Sequence, residues 1–565
     1  MRIKRRLEKL IEEALHRADL DSSDVRVAEA GRPEFGDYQY NGAMALAGRA
    51  KKPPREIAAA VVRNMAEDEM IERLEIAGPG FINIHISAQW LDKELSSIYG
   101  DKRMGVGRCE EPVRCVVDYS GPNMAKQMHV GHLRSTIIGD TLANLLTFLG
   151  HDVIRQNHIG DWGTQFGMLI AYLEEMGEGS EGSLRDLEQF YKDAKGRFDA
   201  DEAFADKSRE YVVKLQGGDI HCLRLWENFI DKSLGHCEEV YSRLGVKLQR
   251  EDVKAESSYN DDLAKVIEEL EEKGLLQESR GAKCVFIDDE PNPLIVRKSD
   301  GGYLYATTDL AAVRFRAREL GAKRISYVVD ARQANHFKQV FEVARRAGFA
   351  GEDVLLEHIS FGMMLDKSGK PFKTRDGGTV KLIELLEEAV SRAKEAIESR
   401  DDCDEEELRR RAEVIGIGAV KYSDLSINRE SNYIFDWDRM LSLDGNTSLY
   451  QQYAYARIGS ILRKYGSGIE GKVAVSDELE RKMALKLLQY EDTLISCAKE
   501  AMPHYITGYL YDLTTLFMKF YESNPILKED LPEELKQSRL TLAALTADTI
   551  KSALSILGIA VLERI

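Results

Sequence analysis

The sequence predicts an α/β protein, a doubly wound parallel sheet with a helical insertion and smaller units at either end, and three patterns predict it. An apolar run at Val113–Val117 passes through a glycine-containing turn into an apolar-periodic helix, Leu133–Leu149, and then into a second strand pattern at Asp152–His158. That order is one half of a Rossmann-like domain. The alternation resumes between residues 308 and 360. From about Phe435 onward only long helix-periodic segments remain, as in a helical bundle.

Residues 1–105 combine an opening helix, a proline-initiated helix at Pro54–Met65, two short strand patterns around Gly78-Pro79-Gly80 and a helix from Ala88. They read as an N-terminal α+β module. Residues 106–434 hold the Rossmann-like domain. Its alternation breaks from about 165 to 280, where charged helix-periodic sequence reads as an insertion too short for a large β-rich editing domain. The second half opens on a hairpin signal, Arg297 to Tyr303. It continues with a helix at Thr308–Leu320, a strand at Arg324–Val329, a helix at Ala334–Ala347 and a strand at Val354–Ser360. A glycine-rich loop at Gly369–Gly378 and a further helix follow. Residues 435–565 form the C-terminal all-α bundle, with helices at Ser448–Tyr465, Asp477–Glu500, His504–Glu522 and Gln537–Leu557.

With 565 residues, 43% of them hydrophobic, the chain can bury several cores. No apolar stretch is long enough to span a bilayer, and Met1-Arg-Ile-Lys-Arg-Arg leads into a charged amphipathic helix rather than a signal core, so a cytoplasmic protein without membrane contact is expected. A net charge of −18 excludes a uniformly basic nucleic-acid binder, though not local basic patches such as Arg49–Arg55. Seven cysteines without CxxC pairing support neither a disulfide framework nor a zinc site; Cys222 and Cys237, each beside a histidine, read as buried thiols.

The most informative run is Ser120 to Ser135, containing His129-x-Gly131-His132 between a strand and a helix N-terminus. Unpaired amides and the helix dipole favour phosphate oxygens there. Gly131 lets a nucleotide approach the backbone. The two imidazoles supply donors for charge developing during phosphoryl or adenylyl transfer, as stabilisers rather than nucleophiles.

Four motifs carry a resemblance to a known family: Ser120-Gly-Pro-Asn-Met-Ala-Lys126, Asn157-His-Ile-Gly-Asp-Trp-Gly-Thr-Gln-Phe-Gly167, Tyr305-Ala-Thr-Thr-Asp309, and Gln333 within Arg-Gln-Ala-Asn-His-Phe. Together they resemble the arginyl-tRNA synthetases among the class I aminoacyl-tRNA synthetases, over the whole chain. The resemblance implies ATP-dependent activation of L-arginine to arginyl-adenylate, with Mg²⁺ accompanying ATP, and transfer to the 3′ end of arginine tRNA. It also implies activation that requires bound tRNA; a monomer with no resident metal is expected.

A guanidinium presents a rigid fork of N–H donors that carboxylates satisfy. Asp118, ending the first strand, and Asp309, starting a helix across the crevice, are the expected acceptors, with the Tyr305 hydroxyl one turn before Asp309. By resemblance Asn123 and Gln333 hold the α-amino group, assisted by the Ser120 backbone. Such a site rejects analogues lacking the donors by roughly 10⁴–10⁵, which fits the absence of an editing domain. His129, Gly131, His132, Met363, Met364, Lys370 and Lys373 are implied beside ATP. The class's second signature, a lysine-rich loop, departs from its pattern here: Pro371 and Asp376 stand where lysines are usual. Lys126, Lys373 and Arg375 are therefore expected to supply the missing positive charge.

For RNA, Tyr450, Tyr453, Tyr455 and Arg457 interleave on the first bundle helix. Bases stack on such groups, and Tyr450, Tyr453 and Arg457 are the expected anticodon contacts. Phe81 and Asn83 match positions that meet the tRNA elbow in the family's added N-terminal domain.

Overall fold

The computed structural model describes residues 3–177, 187–288, 290–372, 380–398, 404–466 and 468–565. Its central sheet has four parallel strands in the order Leu355–His358, Arg324–Tyr327, Arg114–Asp118, Asp152–Gln156. The strand order reverses between Arg114–Asp118 and Arg324–Tyr327. A crevice opens at the carboxyl ends of two such strands, and the register sets Asp118 beside Tyr327 on one side and Gln156 on the other.

The helix Val130–Leu149 crosses this sheet, and nearly all its side chains are buried because the sheet, the insertion and the C-terminal helices enclose it. Gly139 permits its close approach: a Cβ there would lie 2.2 Å from the side chain of Tyr119. Gly139→Ala should destabilise the protein by about 1–3 kcal/mol, read as a lower denaturation midpoint. The helix stops at Gly150, whose φ of +100° suits glycine.

In the N-terminal module, antiparallel strands in the order Val27–Glu29, Tyr38–Tyr40, Phe81–Ile86, Ile71–Ala77 pack with helices Ile3–Arg17 and Pro54–Asn64. The insertion contains helices Thr164–Met176, Leu187–Ala200, Glu202–Gln216, Ile220–Leu244 and Asn260–Glu272. A three-stranded antiparallel sheet follows, Leu276–Ser279, Ala282–Val285 and Leu294–Arg297. Helical periodicity did not reveal it, because four-residue strands are too short to set a period against charged neighbours. Its first turn has Arg280 and Gly281 at φ +51° and +76°, the twist a two-residue hairpin needs. The expected hairpin at 297–303 forms a bridge between Arg297 and Tyr303.

Some boundaries move. The helix expected at Thr308 begins at Tyr305 and runs to Arg314, then widens into a π-helical turn, Phe315–Glu319. Asp309 therefore lies inside the helix rather than at its start. The strands Arg324–Tyr327 and Leu355–His358 are shorter than their apolar runs; after the first, Val328 and Val329 line the crevice. Two helices, Leu382–Ile397 and Glu405–Leu425, stand where one was expected. In the bundle, Ser448–Tyr465 is found as expected, but Asp477–Glu500 divides into Glu478–Leu488 and Tyr490–Glu500. His504–Ser523 and Glu533–Ile556 complete it. One apolar cluster runs continuously through the N-terminal module, one face of the sheet and the bundle, while the other face has its own. Within the Rossmann-like domain Arg134 joins distant segments: fully enclosed, it bonds Asp424 and the carbonyls of Gly362 and Ser431. Among the described residues no helix is long and apolar enough to cross a membrane.

Candidate active site

Asp118, Ser120, Asn123, His129, Gly131, His132, Tyr305, Asp309 and Gln333, far apart in sequence, all line one cavity of about 530 Å³ at the switch point of the sheet. The histidines are built into the helix cap. His129 is the N-cap of Val130–Leu149: its Nδ1 accepts from Gly131 N at 3.0 Å, and His132 Nδ1 accepts from His129 N at 3.1 Å. The rings lie 4.1 Å apart. With both Nδ1 atoms accepting, each neutral ring carries its proton on Nε2 and can donate from there. Burial, then the neighbouring His129, pushes His132 down to about 3.

The expectation of free amides at this helix start is overturned. Val130 N donates to Val380 O, Gly131 N to His129 Nδ1 and His132 N to His129 O. What faces the cavity is a pair of imidazoles. Gly131 has a local reason too, since a Cβ would lie 2.7 Å from the His129 ring.

Asp118 lines the cavity but is already paired. Its Oδ2 accepts from Arg316 Nη2 at 2.8 Å in a buried ion pair and its Oδ1 from His158 N at 3.3 Å. A further acid, Glu256, on a short turn from the insertion, lines the cavity with Tyr305 and Asp309. Burial foremost, then repulsion from Asp161 and Asp309, raises the Glu256 carboxyl to about 8. In the sequence it lay within a stretch whose many acids are mostly solvated, so only the fold separates it from them. Asp309 accepts from His336 Nε2 at 2.6 Å, and Tyr305, one turn earlier on the same face, is 69% exposed. This pairing follows from the i, i+4 geometry.

Ser120 sits at φ +71°, strained for a side-chain-bearing residue. Its N–H donates to Ser135 Oγ, and its hydroxyl meets those of Tyr241 and Thr136. A ligand ammonium would therefore meet its carbonyl. Asn123 accepts from Ala125 N and donates to Gln165. Gln333 is exposed at the start of helix Ala334–Arg346.

Among the described residues, those expected to supply phosphate-side charge lie outside this cavity. Lys126 lies 4.5 Å over the Tyr191 ring, towards the insertion, and is not a cavity wall. Met363 N donates to Asn432, Met364 forms a short parallel strand with Tyr433–Ile434, and Lys370 N donates to Asp366. None of these three lines the cavity. Lys373 and Arg375 lie outside the described residues.

Of the candidate RNA contacts, Tyr453 and Arg457 line a separate surface cavity of about 590 Å³ with Arg463, Lys464 and Arg564. Arg457 stacks 4.6 Å over Tyr521. Tyr450 faces Tyr511, whereas Tyr455 is core, bonded to Glu563. Asn83 is 2% exposed and accepts from Gln39, while Phe81 is half-buried.

Comparison with known proteins covers nearly the whole chain. Residues 94–437 match the family model of class I (R) tRNA synthetase catalytic domains, residues 451–565 the DALR anticodon binding domain, and residues 5–86 the arginyl-tRNA synthetase N-terminal domain. Arginine–tRNA ligase of Alteromonas mediterranea is 53% identical, with 98% of each chain covered, and that of Hahella chejuensis 52% identical with 100% of each covered. The crystal structure of arginyl-tRNA synthetase from Plasmodium falciparum superposes with a TM-score of 0.86 at 29% identity, covering 100% of this chain and 99% of that one. Matches of this extent, on a fold whose crevice gathers the expected motifs, show that the chain belongs to the arginine–tRNA ligase family of class I tRNA synthetases.

Proposed function

We propose that the crevice activates L-arginine with ATP and passes the arginyl group to the 3′ end of arginine tRNA. The observation that carries this is the placing of Tyr305, Asp309 and Glu256 in one cavity with two neutral, Nε2-protonated histidines. Carboxylates take the guanidinium. Asn123, Gln333 and the Ser120 carbonyl take the α-ammonium. The substrate carboxylate then attacks the α-phosphorus of Mg²⁺-ATP, pyrophosphate leaves, and the His129 and His132 Nε2–H groups donate to phosphate oxygens as charge builds. Mg²⁺ enters with ATP, held by phosphate oxygens.

The remaining roles form one scheme with three units: residues 1–105 bind the tRNA elbow, 106–434 perform catalysis, and 435–565 bind the anticodon. Tyr450, Tyr453 and Arg457 are the anticodon contacts, and Phe81 the elbow contact with Asn83 bracing Gln39 behind it. Lys126, Lys370, Lys373 and Arg375 supply positive charge towards the phosphates, with Met363 and Met364 backing the nucleotide. The protein works as a cytoplasmic monomer. Charging of arginine tRNA with each of the twenty amino acids tests the reading: arginine alone should be esterified efficiently, and equal charging of lysine would overturn it.

Glu256 makes the binding step pH-dependent. With its carboxyl at about 8 it is about nine-tenths protonated at pH 7, and an incoming guanidinium ionises it. Calorimetry in two buffers of different ionisation heat should show release of close to one proton per arginine at pH 7, falling towards zero by pH 9, and none for Glu256→Gln. The sign holds for stability as well. Because the folded-state value lies above the ordinary 4.5, this group opposes folding increasingly as pH rises from 4.5 to about 8, and bound arginine reverses the effect.

A further inference from the structure

Arg316 is completely buried directly behind the crevice wall, in the π-helical turn that follows the helix bearing Tyr305 and Asp309. Its Nη2 donates to Asp118 and its Nε to Gln156 at 2.6 Å, and its guanidinium lies 4.8 Å over the ring of Tyr327. Asp118 and Tyr327 also line the crevice. The neighbouring arginines point elsewhere: Arg314 pairs with Asp262 and Glu269, and Arg318 with Glu269. The widened turn makes this possible. Leu320 N reaches back five residues to Phe315 O, and Ala322 N closes on Arg316 O, which swings residue 316 inward beneath the sheet. Turns of this kind recur at functional sites.

The chemistry of the pair matters because the substrate carries the same group. An unneutralised Asp118, 7% exposed on the wall of the crevice, would compete with Asp309 and Glu256 for an incoming guanidinium and seat it at the wrong depth.

We propose that Arg316 is a positioning residue for arginine recognition: an internal guanidinium that occupies Asp118, so that the substrate's guanidinium is directed to Asp309, Glu256 and Tyr305. This rests on the reading of the crevice as the arginine site. The bidentate reach from Asp118 to Gln156 requires the planar fork, which lysine lacks.

The test uses the full chain charging arginine tRNA. Arg316→Lys should raise the KM for arginine roughly tenfold or more while the KM for ATP stays within about twofold. A KM for arginine within twofold of wild type, or equal rises for both substrates, would overturn the proposal. Arg316→Ala should lose activity and regain it at low millimolar guanidinium chloride, which fills the vacated place beside Asp118, before inhibition sets in at higher concentration. Wild type should show inhibition only, and Arg314→Ala no rescue. Absence of rescue in soluble Arg316→Ala, or equal rescue of Arg314→Ala, would also overturn it, and should Arg316→Ala fail to fold, the lysine variant decides. The two readings fail separately. An Asp309→Asn variant with an unchanged KM for arginine would sink the assignment of the crevice itself, whatever the Arg316 variants do.

Discussion

Asp309→Asn is expected to lower kcat/KM for arginine by about 10²–10⁴ while leaving the KM for ATP within about twofold. The substitution keeps the size of the side chain and an oxygen for His336, whose Nε2 lies 2.6 Å from the carboxylate, so the local packing survives. What it removes is the charge that a guanidinium must find after leaving water. Asp118 cannot replace it, being bound to Arg316, and Glu256 alone offers the fork only one carboxylate. Steady-state charging at varied arginine measures the loss. A variant with unchanged kcat/KM would place the substrate side chain elsewhere.

The second large effect concerns His132, which has two separable jobs. Its Nδ1 closes the helix cap by accepting from His129 N, and its Nε2–H is the proposed phosphate donor. Asparagine places an acceptor near the Nδ1 position, and glutamine reaches the Nε2 position. His132→Asn should therefore keep the cap yet lose about 10²–10³ in kcat. His132→Gln should keep more of the activity and instead lose about 1 kcal/mol of stability. With His132 held near 3, the ring stays neutral throughout the working range, so its donation does not titrate between pH 6 and 9. If both variants lose stability alone and retain kcat, the histidine is a cap and no more.

Much of the architecture was legible in the sequence because its periodicities are long. The helix Val130–Leu149 and the bundle helix Ser448–Tyr465 declare themselves over many residues, and parallel strands with two buried faces leave continuous apolar runs. Short elements left no such trace. The small sheet at 276–297 and the π turn at 315–319 are set by tertiary contacts, and a five-residue turn changes the direction of a side chain without changing any local pattern. The site shows the same division. The residues carried by motifs (His129, His132, Asn123, Tyr305, Asp309, Gln333) converge on one cavity. The Arg316 partner of Asp118 was not legible, because a strand-end aspartate looks alike whether or not an internal arginine pairs with it. Glu256 was missed because one acid among many in a charged insertion becomes distinctive only when the fold buries it beside Asp161 and Asp309.

The most direct measurement is a structure of the protein bound to a non-hydrolysable arginyl-adenylate analogue. Its guanidinium should lie within hydrogen-bond distance, about 3 Å, of both Asp309 and Glu256, with its adenylate phosphate facing the Nε2 atoms of His129 and His132 and the Asp118–Arg316 pair intact. A guanidinium bound to Asp118 with Arg316 displaced, or an analogue lodged away from the paired imidazoles, would contradict the account.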